Sequence, residues 1–243
     1  MEWQRLREKA FTTTKEALAA SVNDNHLIIQ AVASMEDLDR TSNTLIKRLR
    51  EWYSLYGPEF SHAVTDNEAF TRRVLEKSKQ EQLQELQCKQ SMGADLQEQD
   101  VQEMLALAGM IRAMHEERAR LERYLETIMQ RHCPNITAIA GPTIAARLLQ
   151  EAGSLRQLAI IQASTIQMYG AEKALFRHLK TGAKPPKHGH IINHPLIAKA
   201  QAKDKGKIAR ALADKLSIAA KVDYFKGDPI GDELRKALEE RFG

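Results

Sequence analysis

The most chemically distinctive part of this 243-residue chain is a run of cations in its last third. Between Lys173 and Lys226 there are 13 lysines and arginines, three aspartates and no glutamate, which gives this segment a net charge of +10. The whole chain carries only +4, so the remainder carries −6. A cation excess this concentrated favours a polyanionic partner, and we interpret it as a nucleic-acid-binding module. The alternative is a solvated helix face, although such faces normally carry charges of both signs.

Histidines offer a second possible chemistry. Four of them lie within or close to the cationic segment: His178, His188, His190 and His194. No cysteine or carboxylate stands beside them, and two lie on a loop rich in proline and glycine, whereas a metal site requires a closely matched set of ligands. We therefore interpret them as loop and helix-cap histidines, and we predict neither a metal nor another cofactor.

Catalytic arrangements are not recognisable in the sequence. Gly206-Lys207 lacks the upstream glycine and the following hydroxyl residue of a phosphate-binding loop. Cys133 directly follows His132, and because adjacent side chains rarely point at one another, a nucleophile–base pair is not indicated. Without a nucleophile, a base and an orienting group, the sequence predicts a protein with no catalytic activity.

The composition indicates which elements must position the cations. Aromatic residues make up only 5% of the chain, and glycine and proline are few, which favours helix over sheet. We predict an all-α fold with a helical core, a protruding antiparallel coiled-coil hairpin and a basic helical domain. The hairpin would pair a helix from about Asn67 to Gln90 with one from about Gln99 to Arg131, which Cys133-Pro134 would end.

The second helix of this predicted hairpin has a regular apolar stripe. Its members alternate spacings of three and four residues: Met104, Leu107, Ile111, Met114, Leu121, Leu125 and Ile128. Arg118 is the one charged exception. This pattern predicts a coiled-coil seam, which is compatible with an intramolecular hairpin and also with a homodimer.

Domain boundaries follow from the composition shifts. We predict an amino-terminal helical segment at residues 1–66, the coiled-coil hairpin at 67–132 and the basic domain at 133–243. The longest stretches without a charged residue have 15 residues, against about 20 apolar residues for a membrane span, so no membrane association is expected. With no secretory signal and two cysteines expected to stay unlinked, we expect a cytosolic protein.

One motif resembles a known family. The run Gly170-Ala171-Glu172-Lys173-Ala174-Leu175-Phe176-Arg177, with Ala163–Gln167 before it and Lys187–Pro195 after it, closely resembles the Nop domain. This family comprises scaffold proteins of box C/D ribonucleoproteins and a related spliceosomal protein. The stretch Asp24–Phe60 resembles the family's central segment, so the resemblance extends over most of the chain.

The resemblance implies an all-helical, non-catalytic scaffold. Its partners would be a kink-turn RNA of the box C/D type and a small ribosomal-protein-like protein already bound to that RNA. The assembled ribonucleoprotein would serve guided RNA 2′-O-methylation or RNA processing. The alternative from another class is a coiled-coil assembly adaptor whose basic domain binds acidic proteins instead of RNA.

Individual residues can be assigned expected roles through the motif. Ala171, Glu172 and Lys173 match the loop that meets the RNA–protein surface, and Ala174 to Arg177 match the element that approaches the guide–substrate duplex. Leu175 and Phe176 could cap a terminal base pair while Arg177 holds its phosphates, or the two apolar residues could be helix core. Further expected RNA contacts lie on segments that resemble the family's RNA-facing loop and helices: Lys180, Lys184, Lys187, His188, Asn193, His194, Lys207 and Arg210.

Two expectations concern protein partners. In the family the coiled coil pairs two scaffolds, and the heptads of this chain permit the same. Box C/D scaffolds usually carry a separate amino-terminal domain that docks fibrillarin, whereas only about 20 residues precede the central segment here. On this argument recruitment of fibrillarin is doubtful.

Overall fold

The computed structural model describes residues 2–242 and contains only helices within that range, which confirms the predicted all-α class. A short 3₁₀ turn spans His190–Asn193. The α-helices are α1 (Glu2–Ser21), α2 (Asp24–Tyr56), α3 (Pro58–Ala63), α4 (Asn67–Glu76), α5 (Lys79–Glu85), α6 (Glu98–His132), α7 (Pro134–Ala140), α8 (Pro142–Ala152), α9 (Leu155–Ile160), α10 (Ala163–Met168), α11 (Glu172–Thr181), α12 (Pro195–Ala198), α13 (Lys205–Phe225) and α14 (Gly231–Phe242).

The helices form two compact units. The central unit is Ala33–Arg123, and the flanking unit consists of the described residues on either side of it in the sequence. The long helices α2 and α6 contribute residues to both units. The domain boundaries expected from composition stay a prediction.

An apolar cluster forms the core of the central unit. Its fully buried members come from α2, α3, α4 and α6 and from the α3–α4 connection: Ile46, Leu49, Tyr53, Phe60, Val64, Phe70, Val74, Met104, Ala108 and Ile111. The rings of Tyr53, Phe60 and Phe70 lie with centroids 5.6–6.0 Å apart, within the range that favours aromatic pairs. Burial raises the pKa of Tyr53 to about 12, and its hydroxyl donates to Gln82 Oε1 at 2.6 Å.

The predicted single helix from Asn67 to Gln90 is wrong. The helix ends at Glu76, because Lys77 adopts an extended conformation and Ser78 begins a new helix. Ser78 and Glu81 form a reciprocal capping box, in which the side chain of each residue accepts a hydrogen bond from the backbone N–H of the other. The central-unit residues of α6 therefore share their core with the long helix α2 as well as with α4.

The buried stripe of α6 differs from the predicted seam, because some of its members lie one residue later in the sequence. Four predicted members are buried, namely Met104, Ile111, Leu125 and Ile128, and the other three are half-buried, namely Leu107, Met114 and Leu121. Ala108 and Met129 are fully buried although the seam did not include them. The spacing of three and four that links them passes through three polar residues, which are His115, Arg118 and Glu122.

Arg118 sits in this stripe because its charge is paired. Its Nε donates to Asp39 Oδ1 of α2 at 2.8 Å, and its Nη1 donates to Glu122 Oε2 at 3.0 Å. The two carboxylates raise the pKa of the guanidinium against the opposing effect of desolvation. The charged exception in the apolar stripe is thus an interhelical ion pair within the central unit.

Helix α13 is the centre of the flanking unit. It packs against α7, α9 and α10, and α14 packs against α7. Its buried face alternates large and small side chains, which lets neighbouring helices approach closely: Ile208, Ala209, Leu212, Ala213, Leu216, Ala219 and Ala220. The core of the flanking unit is therefore built around the same helix that carries Lys207 and Arg210 on its surface.

A buried carboxylate joins three helices of this unit. Asp223 of α13 accepts hydrogen bonds from the backbone N–H groups of Asn135 (3.0 Å) and Ile136 (2.9 Å) at the start of α7. The side-chain amide of Asn135 donates to the same carboxylate at 2.7 Å, and its Oδ1 accepts from Ile230 and Gly231 before and at the start of α14. Desolvation raises the pKa of Asp223 despite these donors.

Two further findings concern the sequence expectations. Within residues 2–242, no helix is both long enough and apolar enough to cross a membrane. Cys88 and Cys133 are free thiols, and burial raises the pKa of Cys133 to about 12. Cys133 also ends α6 and precedes α7, as its position before Pro134 predicts.

Candidate nucleic-acid interface

Helix α11 lies on the surface with no buried side chain. Phe176 and Leu179 are 60% and 68% exposed, so neither belongs to a helix core. Lys173 and Lys180 lie three residues before and four residues after Phe176, which places them on the same helix face as the ring. The helix thus presents two large apolar side chains between cations, with Arg177 beside them.

The turn before α11 requires glycine at position 170. Gly170 has a positive φ of 85°, and its N–H donates to the Glu172 carboxylate at 2.8 Å. A Cβ at this position would lie 2.5 Å from Nε2 of the His190 ring. His190 is held in turn by Glu151, 3.0 Å away. Glu172, although exposed, therefore shapes the turn that starts α11.

The basic loop, residues 182–189, is fastened to this turn by its own backbone. The N–H groups of Gly189 and His190 donate to the carbonyls of Gln167 (2.9 Å) and Tyr169 (2.7 Å). The Gln167 amide donates to the carbonyl of Lys187 at 2.6 Å. A Cβ on Gly189 would lie only 1.8 Å from the Tyr169 carbonyl oxygen, so only glycine allows this approach. The loop is therefore held close to the start of α11.

The start of α13 lies against the same loop. The Cδ of Lys187 is 3.8 Å from the position that a Cβ would take on Gly206, so the lysine stem passes along the first turn of α13. Lys207 and Arg210 follow on that helix and are exposed, as are Lys184 and Lys187. We call the exposed side chains of this region the basic face, and they are Lys173, Phe176, Arg177, Leu179, Lys180, Lys184, Lys187, Lys207 and Arg210.

Two expected RNA contacts are not available to a ligand. His194 is buried, with its Nε2 2.9 Å from the Ile139 carbonyl and its Nδ1 accepting from the Leu196 N–H at 3.3 Å. Both ring nitrogens are occupied, so the expectation that His194 contacts RNA is corrected: it caps α12. Ala171 is also buried and supports the turn instead of presenting a side chain.

The remaining expected contacts differ in accessibility. Leu175 and His188 are half-buried, whereas Asn193 is exposed at the end of the 3₁₀ turn. Leu179 was not among the expected contacts, although it lies three residues after Phe176 and its exposure exceeds that of the ring. The spacing of three residues places Leu179 on the same helix face as Phe176, and this spacing could have identified Leu179 as a candidate contact.

Two of the four histidines bond through their rings to the protein's own backbone, namely His178 and His194. The His178 ring is hydrogen-bonded to the carbonyl of Ala183, which closes the end of α11 onto the basic loop. Among residues 2–242, no three side chains of histidine, cysteine, aspartate or glutamate are grouped so that they could hold a metal ion. The chemistry of the basic face is therefore that of cations and exposed apolar side chains.

Comparison with protein families gives one match, which spans most of the chain. Residues 34–243 match the Nop family, described as "snoRNA binding domain, fibrillarin". The matched range includes the central unit except Ala33, and the whole basic face.

Individual relatives agree with this match. A NOP5 family protein of Methanocaldococcus jannaschii is 43% identical over 245 residues, covering 94% of this chain and 59% of that protein. Nucleolar protein 56 of Saccharomyces cerevisiae is 37% identical over 256 residues, covering 96% of this chain and 51% of that protein. The chain thus spans about half the length of the curated relatives that it matches.

A solved structure supports the fold. A chain of a crystal structure titled as a fibrillarin/Nop5p complex aligns with 99% of this chain and 77% of its own length, at a TM-score of 0.59 and 26% identity. The expectation that fibrillarin recruitment is doubtful is not confirmed, because this structural neighbour comes from a complex with fibrillarin.

Proposed function

This chain belongs to the Nop family, and from that premise we propose that it is a non-catalytic scaffold that binds box C/D-type RNA through the basic face. The observation that carries the proposal is the exposure of Phe176 and Leu179 between the cations of α11. Neighbouring exposed apolar side chains that are rimmed by charged residues are typical of an interaction surface. Their cationic neighbours favour a partner with negative charge.

The end of an RNA duplex matches this combination. Its terminal base pair offers a flat aromatic surface, and the phosphates at its rim offer charge to nearby arginine and lysine. Phe176 and Leu179 would pack on the terminal pair, and Lys173, Arg177 and Lys180 would neutralise the phosphates around it. An acidic protein would satisfy the cations but would leave the stacking surface unused.

The finer part of the proposal concerns a composite target. We infer that the chain recognises a kink-turn RNA together with the small ribosomal-protein-like protein bound to it. The resemblance of the Gly170–Arg177 motif to the Nop domain supports this, and the tight Gly170 turn and the fastened basic loop would present the cations to such a target in fixed positions. The ribonucleoprotein would serve guided 2′-O-methylation or RNA processing, in the cytosol of a prokaryote or the nucleolus of a eukaryote.

A gel-shift titration tests the proposal. A box C/D kink-turn RNA is titrated with the chain, with and without the small kink-turn-binding protein, at two salt concentrations. We expect a supershifted complex only in the three-component mixture, with an affinity that falls as salt rises. The double variant Phe176→Ala/Leu179→Ala should weaken it by about 1–3 kcal/mol, the range for a lost stacking contact.

Lys236→Gln supplies the matched control, since it removes an exposed cation of α14, away from the basic face in the sequence. This variant should bind as the unsubstituted chain does. Absence of binding in every mixture, with the fold intact by circular dichroism, would contradict the proposal and favour the adaptor alternative.

A further inference from the structure

A second aromatic and cationic surface lies at the opposite end of α13 from the basic face. Tyr224 and Phe225 form the last turn of this helix, with ring centroids 5.0 Å apart in an edge-to-face arrangement. Phe225 is 76% exposed, which is more than Phe176 on α11. Neither the family motif nor the basic face accounts for a phenylalanine held in water at this position.

A cavity of about 820 Å³ opens beside Tyr224, the neighbour of Phe225 in this pair. Tyr224 lines it together with three cationic side chains, Arg131, Arg156 and Lys226, all of which are exposed to solvent. Its polar wall includes Ser154 of the α8–α9 connection. All of these residues belong to the flanking unit.

The charge of this cavity is unbalanced. Within residues 2–242, Arg156 and Lys226 form no ion pair, whereas Arg131 donates to Asp24 at 2.8 Å. Asp223 is the one acid that lines the cavity, and its oxygens already accept the three hydrogen bonds from α7. Two cations are therefore available to an anionic ligand next to an exposed aromatic pair.

The position of the cavity relates it to the basic face. Lys207 and Phe225 are 18 residues apart on one helix, which corresponds to about 27 Å at 1.5 Å per residue. At about 3.4 Å per stacked nucleotide, this distance equals roughly eight nucleotides. One RNA held at the basic face can thus reach the cavity with a short unpaired extension.

We propose that the end patch, formed by Arg156, Tyr224, Phe225 and Lys226, binds an unpaired extension of the RNA that the basic face holds. The inference rests on the proposed function. A base would stack on Phe225, and the neighbouring phosphates would lie against Arg156 and Lys226, which is the combination that single-stranded nucleic acid requires. An acidic peptide would use the two cations but would gain little from the exposed ring.

The test compares two RNAs by fluorescence anisotropy. One is a blunt kink-turn RNA, and the other carries an unstructured single-stranded extension of about twelve nucleotides, longer than the roughly eight that the distance along α13 requires. Both are measured in the presence of the kink-turn-binding protein. We expect Phe225→Ala to weaken the extended RNA about tenfold and to leave the blunt RNA unchanged. Phe225→Tyr should bind the extended RNA with nearly the affinity of the unsubstituted chain, because tyrosine keeps the stacking surface.

A salt titration tests the cations separately. The double variant Arg156→Gln/Lys226→Gln should lower the slope of log K against log salt by about one per lost phosphate contact, only with the extended RNA. Lys236→Gln is the control for a lost surface charge, and Phe176→Ala reports on the basic face with both RNAs. All substituted side chains are exposed, and circular dichroism melting verifies the fold of each variant.

The outcomes separate the two proposals. End-patch variants that match Lys236→Gln on both RNAs, while Phe176→Ala weakens both, would overturn the end patch and leave the proposed function standing. Failure of the unsubstituted chain to bind either RNA would overturn both. A third outcome is that polyglutamate displaces the extended RNA from the end patch while free single-stranded RNA does not. This result would also overturn the end-patch proposal and would indicate an acidic protein as the partner.

Discussion

Helices α11 and α13 have similar sequence patterns, but α13 buries most of its apolar side chains and α11 buries none. Both carry lysine, arginine and evenly spaced apolar residues, and they belong to the same compact unit. Helix α13 buries its apolar residues, including Ile208, Leu212 and Leu216, whereas α11 leaves Phe176 and Leu179 in water. The same amphipathic pattern therefore serves a core in one helix and an open surface in the other. The difference lies in whether the chain supplies the covering surface itself.

The largest test of this contrast replaces one leucine in each helix. Leu212→Ala should lower the free energy of unfolding by about 2–5 kcal/mol, because it leaves a cavity in a fully buried site. Leu179→Ala should change it by less than about 0.5 kcal/mol, as expected for a surface residue. Urea denaturation followed by circular dichroism measures both. Equal losses of unfolding free energy in the two variants would show that Leu179 is packed, and the difference between α11 and α13 would not hold.

A glycine substitution at the base of α11 should have an intermediate effect. Gly170→Ala places a Cβ 2.5 Å from the His190 ring at a positive φ, so the turn must shift. We expect a loss of about 1–2 kcal/mol in unfolding free energy, typical of a strained backbone position. RNA affinity should fall as well, since the turn positions Lys173.

Gly182→Ala is the matched comparison for that variant. Gly182 also has a positive φ, of 69°, but no atom lies within 4 Å of the position that its Cβ would occupy. The strain is then conformational alone, and the affinity for RNA should fall less than in Gly170→Ala. A greater loss of affinity in Gly182→Ala would contradict the role assigned to the Gly170 turn.

Acidification should lower the free energy of unfolding of the flanking unit, and this effect should be the smallest of those predicted here. Burial lowers the pKa of His132 and His194 below the ordinary value near 6.5. As the pH falls below about 6.5, the unfolded chain binds protons that the folded chain resists, so the free energy of unfolding decreases. Between pH 7 and 5.5 we expect a loss of about 1 kcal/mol, measured by urea titrations at each pH.

His194→Asn isolates one of these groups. Asparagine is a good helix cap and does not titrate, so this variant should lose less stability on acidification. Asp223 acts in the opposite direction, because its raised pKa favours the folded state as the carboxyl takes up a proton at lower pH. Both chains carry Asp223, so its contribution cancels in the comparison. An unchanged pH dependence in the variant would remove His194 as a source of acid sensitivity.

The long elements could be predicted from sequence because their signals are local. The end of α6 follows from Cys133-Pro134, and the end of α2 follows from Gly57-Pro58. The break between α4 and α5 was also encoded locally, by Ser78 and Glu81, but the capping box lay within a polar stretch that a long exposed helix would equally satisfy.

The site could be predicted only in part, because spacing does not identify the partner of an apolar face. The sequence left open whether Phe176 belongs to the core, and only the exposure of its side chain in the folded chain decides it. His194 was misplaced because its two hydrogen-bond partners include Ile139, which is 55 residues away in the sequence. Such long-range contacts leave no local pattern.

The polar interruption of the α6 stripe has a consequence for helix alignment. Within the central unit, Arg118 of α6 is matched to Asp39 of α2 at 2.8 Å. Sliding one helix past the other by a single heptad would separate them by about 10 Å along the axis and would place the guanidinium opposite apolar side chains. The slipped pairing would remove the Asp39 carboxylate and leave this partly desolvated guanidinium with Glu122 alone, which makes it unfavourable. This ion pair thus selects one register out of several that the apolar repeat alone would tolerate.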